Sequence, residues 1–296
     1  MGIAELVPGV SGGTIAFITG IYVELVQSLH RIDRTAILMV LKGQIPAAWT
    51  YVNANFLLVL LLGMGISAVS LSSLVTWLFE HHEIQLWAFF FGLIVGSMVF
   101  VARSVGPWSM ERVALAMVGV LLGSVVSNVG GLPVSESPLV TFAAGAVAIC
   151  AWILPGVSGS FILLLLGQYQ RVVRALAELD VTVLASLAAG CAVGMLLFTR
   201  VLTWLLRHYY AGTLAFLCGF MGGALQKLWP WRQTLSYFLD SRGEAIPVVV
   251  RPLGPFRYAE LYGEDPMLLG AVLACAAGLG VVMVLDRVSR RGAAGD

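Results

Sequence analysis

The sequence predicts an all-α integral membrane protein with an inverted-topology repeat, each half a re-entrant helical hairpin plus three transmembrane helices. Three observations predict it: a composition too apolar for water, a series of bilayer-length apolar runs, and a five-residue motif that occurs twice. Of 296 residues, 59% are apolar and 11% charged, and the mean hydropathy is +0.93. Soluble domains carry about 25% charged residues, so most of this chain cannot face water.

A net charge of +1 provides no basic field, which excludes nucleic acid as a partner. Cys150, Cys191, Cys218 and Cys275 all lie in apolar runs, where each acts as a small hydrophobe rather than a disulfide or zinc ligand. No metal or other cofactor is expected. Met1-Gly-Ile-Ala-Glu5 lacks the basic stretch of a signal peptide, and Leu6 stands where a myristoylation motif needs Ser or Thr, so neither cleavage nor a lipid anchor is expected.

Along the chain, Ile3 to Leu25 is apolar but interrupted by Pro8-Gly9. Arg31 to Trp49 mixes Arg31, Arg34 and Lys42 with Ile37, Leu38, Val40 and Leu41 and reads as an interfacial helix. Runs of bilayer length follow at Asn55 to Phe79, Ile84 to Ala102 and Val113 to Val129. Pro138 to Tyr169 is again interrupted, by Pro155-Gly156, with arms on the order of 22 Å on each side at 1.5 Å per residue. Neither arm spans a core of about 30 Å, and both in line overshoot it. A hairpin that dips in and returns fits, provided that protein or a water-filled cavity surrounds its irregular backbone. Three more spans are expected at Val183 to Leu206, Gly212 to Gln226 and Met267 to Leu285, with a partly ordered external loop over residues 227–266.

The two interruptions are related. Pro8-Gly-Val-Ser-Gly12 recurs as Pro155-Gly-Val-Ser-Gly159, followed by Ile15, Gly20 and Tyr22 against Ile162, Gly167 and Tyr169: eight identities in eighteen residues at an offset of 147. At an offset of 127, Ala88-Phe89 with Gly92 and Gly96 matches Ala215-Phe216 with Gly219 and Gly223. One membrane domain, residues 1–296, thus divides into a first half over 1–131 and a second over 137–291. With three crossings per half the second half is inverted, an arrangement that places a substrate site near the midplane between the broken elements. The face holding the first hairpin carries ten Lys and Arg and the opposite face seven, which puts both termini in the cytoplasm by the positive-inside rule.

The chemistry of the breaks points to an anion. Glycines let backbone approach closely, and a helix opening in low dielectric offers unpaired N–H groups and its positive dipole end. Gly9, Ser11, Gly12, Gly13 and Thr14 form one such cradle, and Gly156, Ser158, Gly159 and Ser160 the other. Arg103 and Arg200 are candidate partners for a phosphate, which a guanidinium suits, against the alternative that they snorkel to the interface. Glu5 is a candidate proton carrier, because protonation removes the charge that repels a phosphate, against the alternative of a structural cap. Ser11 or Ser158 as the nucleophile of an intramembrane hydrolase is disfavoured, because His30, His81, His82 and His208 all sit at span ends or in loops. A small-anion exchanger on the same inverted fold is the other alternative.

Several segments together resemble the bacterial and archaeal polyprenyl-phosphate transporters, long known as a membrane domain of unknown function. They are Met1-Gly-Ile-Ala-Glu-Leu-Val-Pro-Gly-Val-Ser-Gly-Gly-Thr14 through Tyr22, Ile153-Leu-Pro-Gly-Val-Ser-Gly-Ser-Phe-Ile-Leu163 with Gly167-Gln-Tyr169, Phe89-Phe-Phe-Gly-Leu-Ile94, and Gly219-Phe-Met221 with Trp229-Pro-Trp231. Position 5 is Glu where that family usually has Asp. The resemblance implies a transporter rather than an enzyme, residing in the cytoplasmic membrane. Its partner would be undecaprenyl phosphate or a similar carrier lipid, returned to the cytoplasmic leaflet for reuse in cell-envelope synthesis.

Overall fold

The computed structural model describes residues 1–2, 12–128, 137–155, 159–239 and 245–292. Short helices α1 (Gly12–Ile18) and α2 (Tyr22–His30) precede α3 (Arg34–Leu41) and α4 (Ile45–Tyr51). Then come α5 (Ala54–His81), α6 (Glu83–Ser104) and α7 (Met110–Asn128). Next are α8 (Pro138–Ile153), α9 (Gly159–Leu165), α10 (Tyr169–Glu178), α11 (Val181–His208) and α12 (Tyr210–Ala224). A 3₁₀ turn (Leu225–Leu228), strands β1 (Arg232–Leu239) and β2 (Ala245–Pro252), α13 (Pro255–Tyr262) and α14 (Leu268–Gly292) complete the chain.

Among the described residues four helices are long and apolar enough to cross a membrane, in α5, α6, α7 and α11, and two shorter apolar helices are Pro138–Ile153 and Leu268–Val284. The expected run from Gly212 to Gln226 is the 15-residue α12, about 22 Å long. Leu58, Val59, Leu62, Ile66 and Val69 of α5 and Leu269, Val272 and Leu273 of α14 are exposed. A continuous apolar exterior of this kind belongs against lipid.

Two expectations are corrected. The segment from Arg31 to Trp49 is two helices, because Gly43 adopts φ +72° after α3 and Pro46 lies in the first turn of α4, a stop and a start respectively. Asp33 caps α3 by accepting from the backbone N–H groups of Thr35 and Ala36 at 2.8 and 3.0 Å. It also accepts from the Tyr51 hydroxyl at 3.1 Å, tying α3 to α4. The all-α expectation holds for the apolar elements, but residues 227–266 contain an antiparallel ribbon in which Arg232 pairs with Pro252 and Thr234 with Val250. The run Val248-Val-Val250 lies in its second strand, as β-branched residues favour.

Close backbone approach at glycine organises the packing. A Cβ on Gly92 would overlap the Cys275 carbonyl, and one on Gly278 the Phe89 carbonyl, which joins α6 to α14. Cβ atoms on Gly219 and Gly223 would overlap the carbonyls of Ala116 and Val120, which joins α12 to α7. Two early helices, α6 and α7, thus pack on two late ones, α14 and α12. Gly145, Gly190 and Gly194 bring α8 equally close to α11.

The element ends also segregate. At one end Arg232 pairs with Glu83 and Gln85 donates to Met267, while Val101, Val105, Leu202, Leu206 and Leu214 share a core with α2 elsewhere. The junctions α5–α6 and α11–α12 have the same construction: each is one non-helical residue, His82 (φ −139°, ψ 41°) and Tyr209 (φ −132°, ψ 45°). Trp77 stacks on His81 and Trp204 on His208, and each imidazole Nδ1 lies within hydrogen-bond distance of its tryptophan carbonyl, 3.0 and 2.9 Å. These pairs extend the offset of 127 through Trp77/Trp204 and His81/His208.

Gly219→Val and Gly92→Val should each prevent correct assembly or destabilise it by about 3 kcal/mol or more, since overpacking of even tolerant cores costs 1 to 3. Gly63→Val, where a Cβ meets nothing within 4 Å, should behave as wild type. Thermal stability and monodispersity in detergent separate the two classes; equal behaviour would remove the glycine contacts from the account.

Candidate functional site

The structure describes the flanks of both breaks. Glu5, Gly9, Ser11, Gly156 and Ser158 lie outside the described residues. Gly12, Gly13 and Thr14 open α1 and are buried, Thr14 completely. Gly159 is buried and Ser160 exposed at the start of α9. A Cβ on Gly159 would stand 2.7 Å from the Ala148 oxygen and 3.3 Å from Trp152 Cβ. In line, residues 148 and 159 would be about 16 Å apart at helical rise, so α9 turns back along α8 after Pro155.

The second arms end alike. Gly20 and Gly167 adopt φ +75° and +64°, the left-handed conformation for which glycine is the usual residue. The next helix then begins at Tyr22 in one case and at Tyr169 in the other. This explains one identity of the repeated motif by backbone conformation alone. Ala16 and Phe17, just after the first break, share one buried core with Ile153, just before the second. The flanks of the two breaks therefore meet in a single cluster, in which Phe17 stacks on Tyr22 at 3.9 Å between ring centroids. Thr141 donates to Gln168 at 2.8 Å and ties the start of α8 to the turn before α10.

The two arginines are differently placed. Arg103 is exposed in the last turn of α6. Arg200 is exposed on α11 and acts electrostatically, with Arg207, on His30 at the end of α2. Burial first, then these two arginines, hold the His30 imidazole below its ordinary value, against the opposing influence of Asp33.

The model of the VCA0040-like family, described as undecaprenyl phosphate translocase-like, matches residues 1–246 and so covers both breaks. The chain belongs to this family. It is 39% identical over 292 residues to a Vibrio cholerae serotype O1 protein named polyprenyl-phosphate transporter, covering 98% of this chain and 94% of the relative. A Staphylococcus aureus protein of the same name is 29% identical over 248 residues, 78% of this chain and 83% of that one. No solved structure matches the chain.

A second polar cluster joins the start of α6 to the segment after α12. Arg232 donates to Glu83 at 2.7 Å and lies 3.8 Å above the Trp87 ring. Trp87 Nε1 donates to the same carboxylate at 3.1 Å. Trp229 and Trp231 donate to the carbonyls of Leu253 and Pro266, both at 2.8 Å. The pairing of Arg232 with Glu83 links residues 149 apart, and no local pattern announces such a contact. Beside it, burial and then Arg232 bring the Lys227 ammonium from 10.5 down to about 7.

An unfolded chain keeps that proton to about pH 10.4. Between about 7 and 10.5 the folded state therefore binds fewer protons, and stability should rise with pH across this window. Lys227→Met should flatten the rise. Unfolding midpoints of both proteins from pH 6 to 10 test this, and parallel profiles would show that Lys227 contributes nothing to it.

Proposed function

We propose that the chain carries a polyprenyl-phosphate lipid across the cytoplasmic membrane for reuse in envelope synthesis, binding its head group between the two break motifs. The observation that carries the proposal is family membership over a stretch that includes both motifs, with a relative matched over 98% of this chain. The packing of Ala16 and Phe17 with Ile153 supports it, because it gathers the flanks of both breaks in one place. An exterior of exposed apolar side chains suits a lipid substrate, whose tail remains in the bilayer while its head group crosses.

In this reading the cradles comprise Gly9, Ser11, Gly12, Gly13 and Thr14, and Gly156, Ser158, Gly159 and Ser160, with Arg103 and Arg200 meeting the phosphate along its path. Glu5 carries the proton. An ionised carboxylate beside the cradle repels a phosphate and a protonated one does not, so lipid binding and protonation favour each other. Residues 1–131 and 137–291 form two inverted halves of one domain, with 227–266 external and both termini cytoplasmic. The return of α9 along α8, the shared construction of the junctions at His82 and Tyr209, and the exchange of packing partners between halves support that topology.

Two experiments test it. If the second hairpin is re-entrant, Ser137→Cys and Glu178→Cys, on a cysteine-free background, should both react with an impermeant maleimide added outside intact cells; labelling from opposite sides would remove the hairpin. In reconstituted vesicles the wild-type chain should speed the movement of a fluorescent prenyl phosphate. Ser11→Ala and Ser158→Ala should each weaken head-group binding by about 0.5 to 3 kcal/mol, the range of a neutral to charge-assisted hydrogen bond. Glu5→Gln should keep binding and lose its pH dependence between pH 5 and 8. No acceleration by the wild type would sink the transport reading, and unchanged pH dependence in Glu5→Gln would take the proton out of it.

A further inference from the structure

Helices α3 and α4 add almost nothing to the buried core. In α3 only Ala36 is buried and in α4 only Ala48, while Ile37, Leu38, Leu41, Ile45 and Trp49 are all exposed, Leu41 to 76%. At 3.6 residues per turn, Arg34, Leu38 and Leu41 lie on the side of α3 opposite Ala36. The face that α3 turns away from the protein is therefore largely apolar, the reverse of a helix that faces water.

The two helices are too short to bury that face by crossing a membrane. Eight and seven residues give about 12 and 10 Å, against a hydrocarbon core of about 30 Å. Nor is the hairpin loosely attached. Tyr51 at the end of α4 donates to Asp33 at the start of α3, and the Trp49 indole donates to Asn55 in the first turn of α5 at 2.9 Å. Asn53, at the corner between α4 and α5, donates to Glu24 of α2 at 2.8 Å. These contacts hold the hairpin beside the start of α5, whose exposed Leu58, Val59 and Leu62 begin one turn further on. The two apolar exteriors are continuous, and the one on α5 belongs against lipid.

Charge selects the kind of lipid. From residue 31 to 53 the chain carries Arg31, Arg34 and Lys42 and a single carboxylate, Asp33. That carboxylate is engaged by the backbone N–H groups of Thr35 and Ala36 and by Tyr51. Arg31 donates to the Tyr51 carbonyl at 3.5 Å. Arg34 and Lys42 are exposed and have no ion-pair partner among the described residues. They stand at the two ends of α3, where long basic side chains lay their stems along apolar surface and carry the charge outward. An apolar strip between two cations matches the boundary between acyl chains and anionic head groups.

We infer that the α3–α4 hairpin docks on anionic phospholipid, with Leu38, Leu41, Ile45 and Trp49 among the upper acyl chains and Arg34 and Lys42 on the head groups. This surface is separate from the break motifs, and it holds the start of α5 at a fixed depth in the leaflet that the helix enters.

The test places a fluorophore at Leu41→Cys in the full chain on a cysteine-free background. The protein is reconstituted in vesicles of equal parts phosphatidylcholine and phosphatidylglycerol, with bromine on the acyl chains of one or the other. Both brominated lipids should quench, the anionic one more strongly. Lys42→Gln should lower that preference by up to about five-fold, the factor that one cation near an anionic surface is worth. Lys42→Arg should retain the preference, and added salt should weaken it. The same fluorophore at Leu62→Cys, further along α5, should report lipid contact that does not respond to Lys42→Gln. Quenching at position 41 by aqueous iodide in place of bromine puts the face in water and overturns the inference. Shielding from both quenchers assigns the face to protein, such as a second copy of the chain, and overturns it as well. Equal quenching by the two lipids overturns the choice of an anionic partner. All of these outcomes leave the transport reading to its own assay.

Discussion

Backbone contact between helices is what the remainder of this structure depends on. Within a bilayer the hydrophobic effect does not press helix against helix, since lipid tails are as apolar as the side chains, and association relies on close van der Waals packing. Here that contact is made where Gly92, Gly219, Gly223 and Gly278 leave no side chain between one helix and the carbonyls of the next. These glycines join α6 to α14 and α7 to α12, helices far apart in the sequence.

The polar groups are distributed accordingly. One end is closed by a compact set of mutual contacts, with Arg232 on Glu83 and over Trp87 and two indoles donating to loop carbonyls. Around α2 and α11, Arg200 and Arg207 have no ion-pair partner among the described residues, and their influence reaches His30. An ionised group beside low dielectric is stable only with a partner or with access to water. The end with paired charges is thus a clasp, and at the other Arg200 and Arg207 are exposed.

Much of this was legible in the amino-acid order. Apolar run length located the long helices, and Pro155-Gly156 marked the end of α8 at Ile153, because proline and glycine act on the backbone itself. The glycines at 20 and 167 were visible as identities, although their left-handed conformation was not. The division of the interfacial segment at Gly43 was missed because apolar periodicity runs through it, and the ribbon after Trp231 appeared only as a β-prone stretch. The pairing of Arg232 with Glu83 carried no local signal at all. Its residues lie 149 positions apart, and only the folded chain brings them together.

The joints at His82 and Tyr209 have a mechanical consequence. On both sides of each the hydrogen-bond ladder resumes at once: His82 donates to Leu78 and accepts from Leu86, and Tyr209 donates to Leu205 and accepts from Thr213. A connection one residue long has two soft dihedrals and no slack. The rods on either side cannot slide past one another or drift apart. Any movement between α5 and α6, or between α11 and α12, is confined to rotation about a fixed pivot, and such an elbow converts a small change of angle at one surface of the membrane into a sweep of several ångströms at the other.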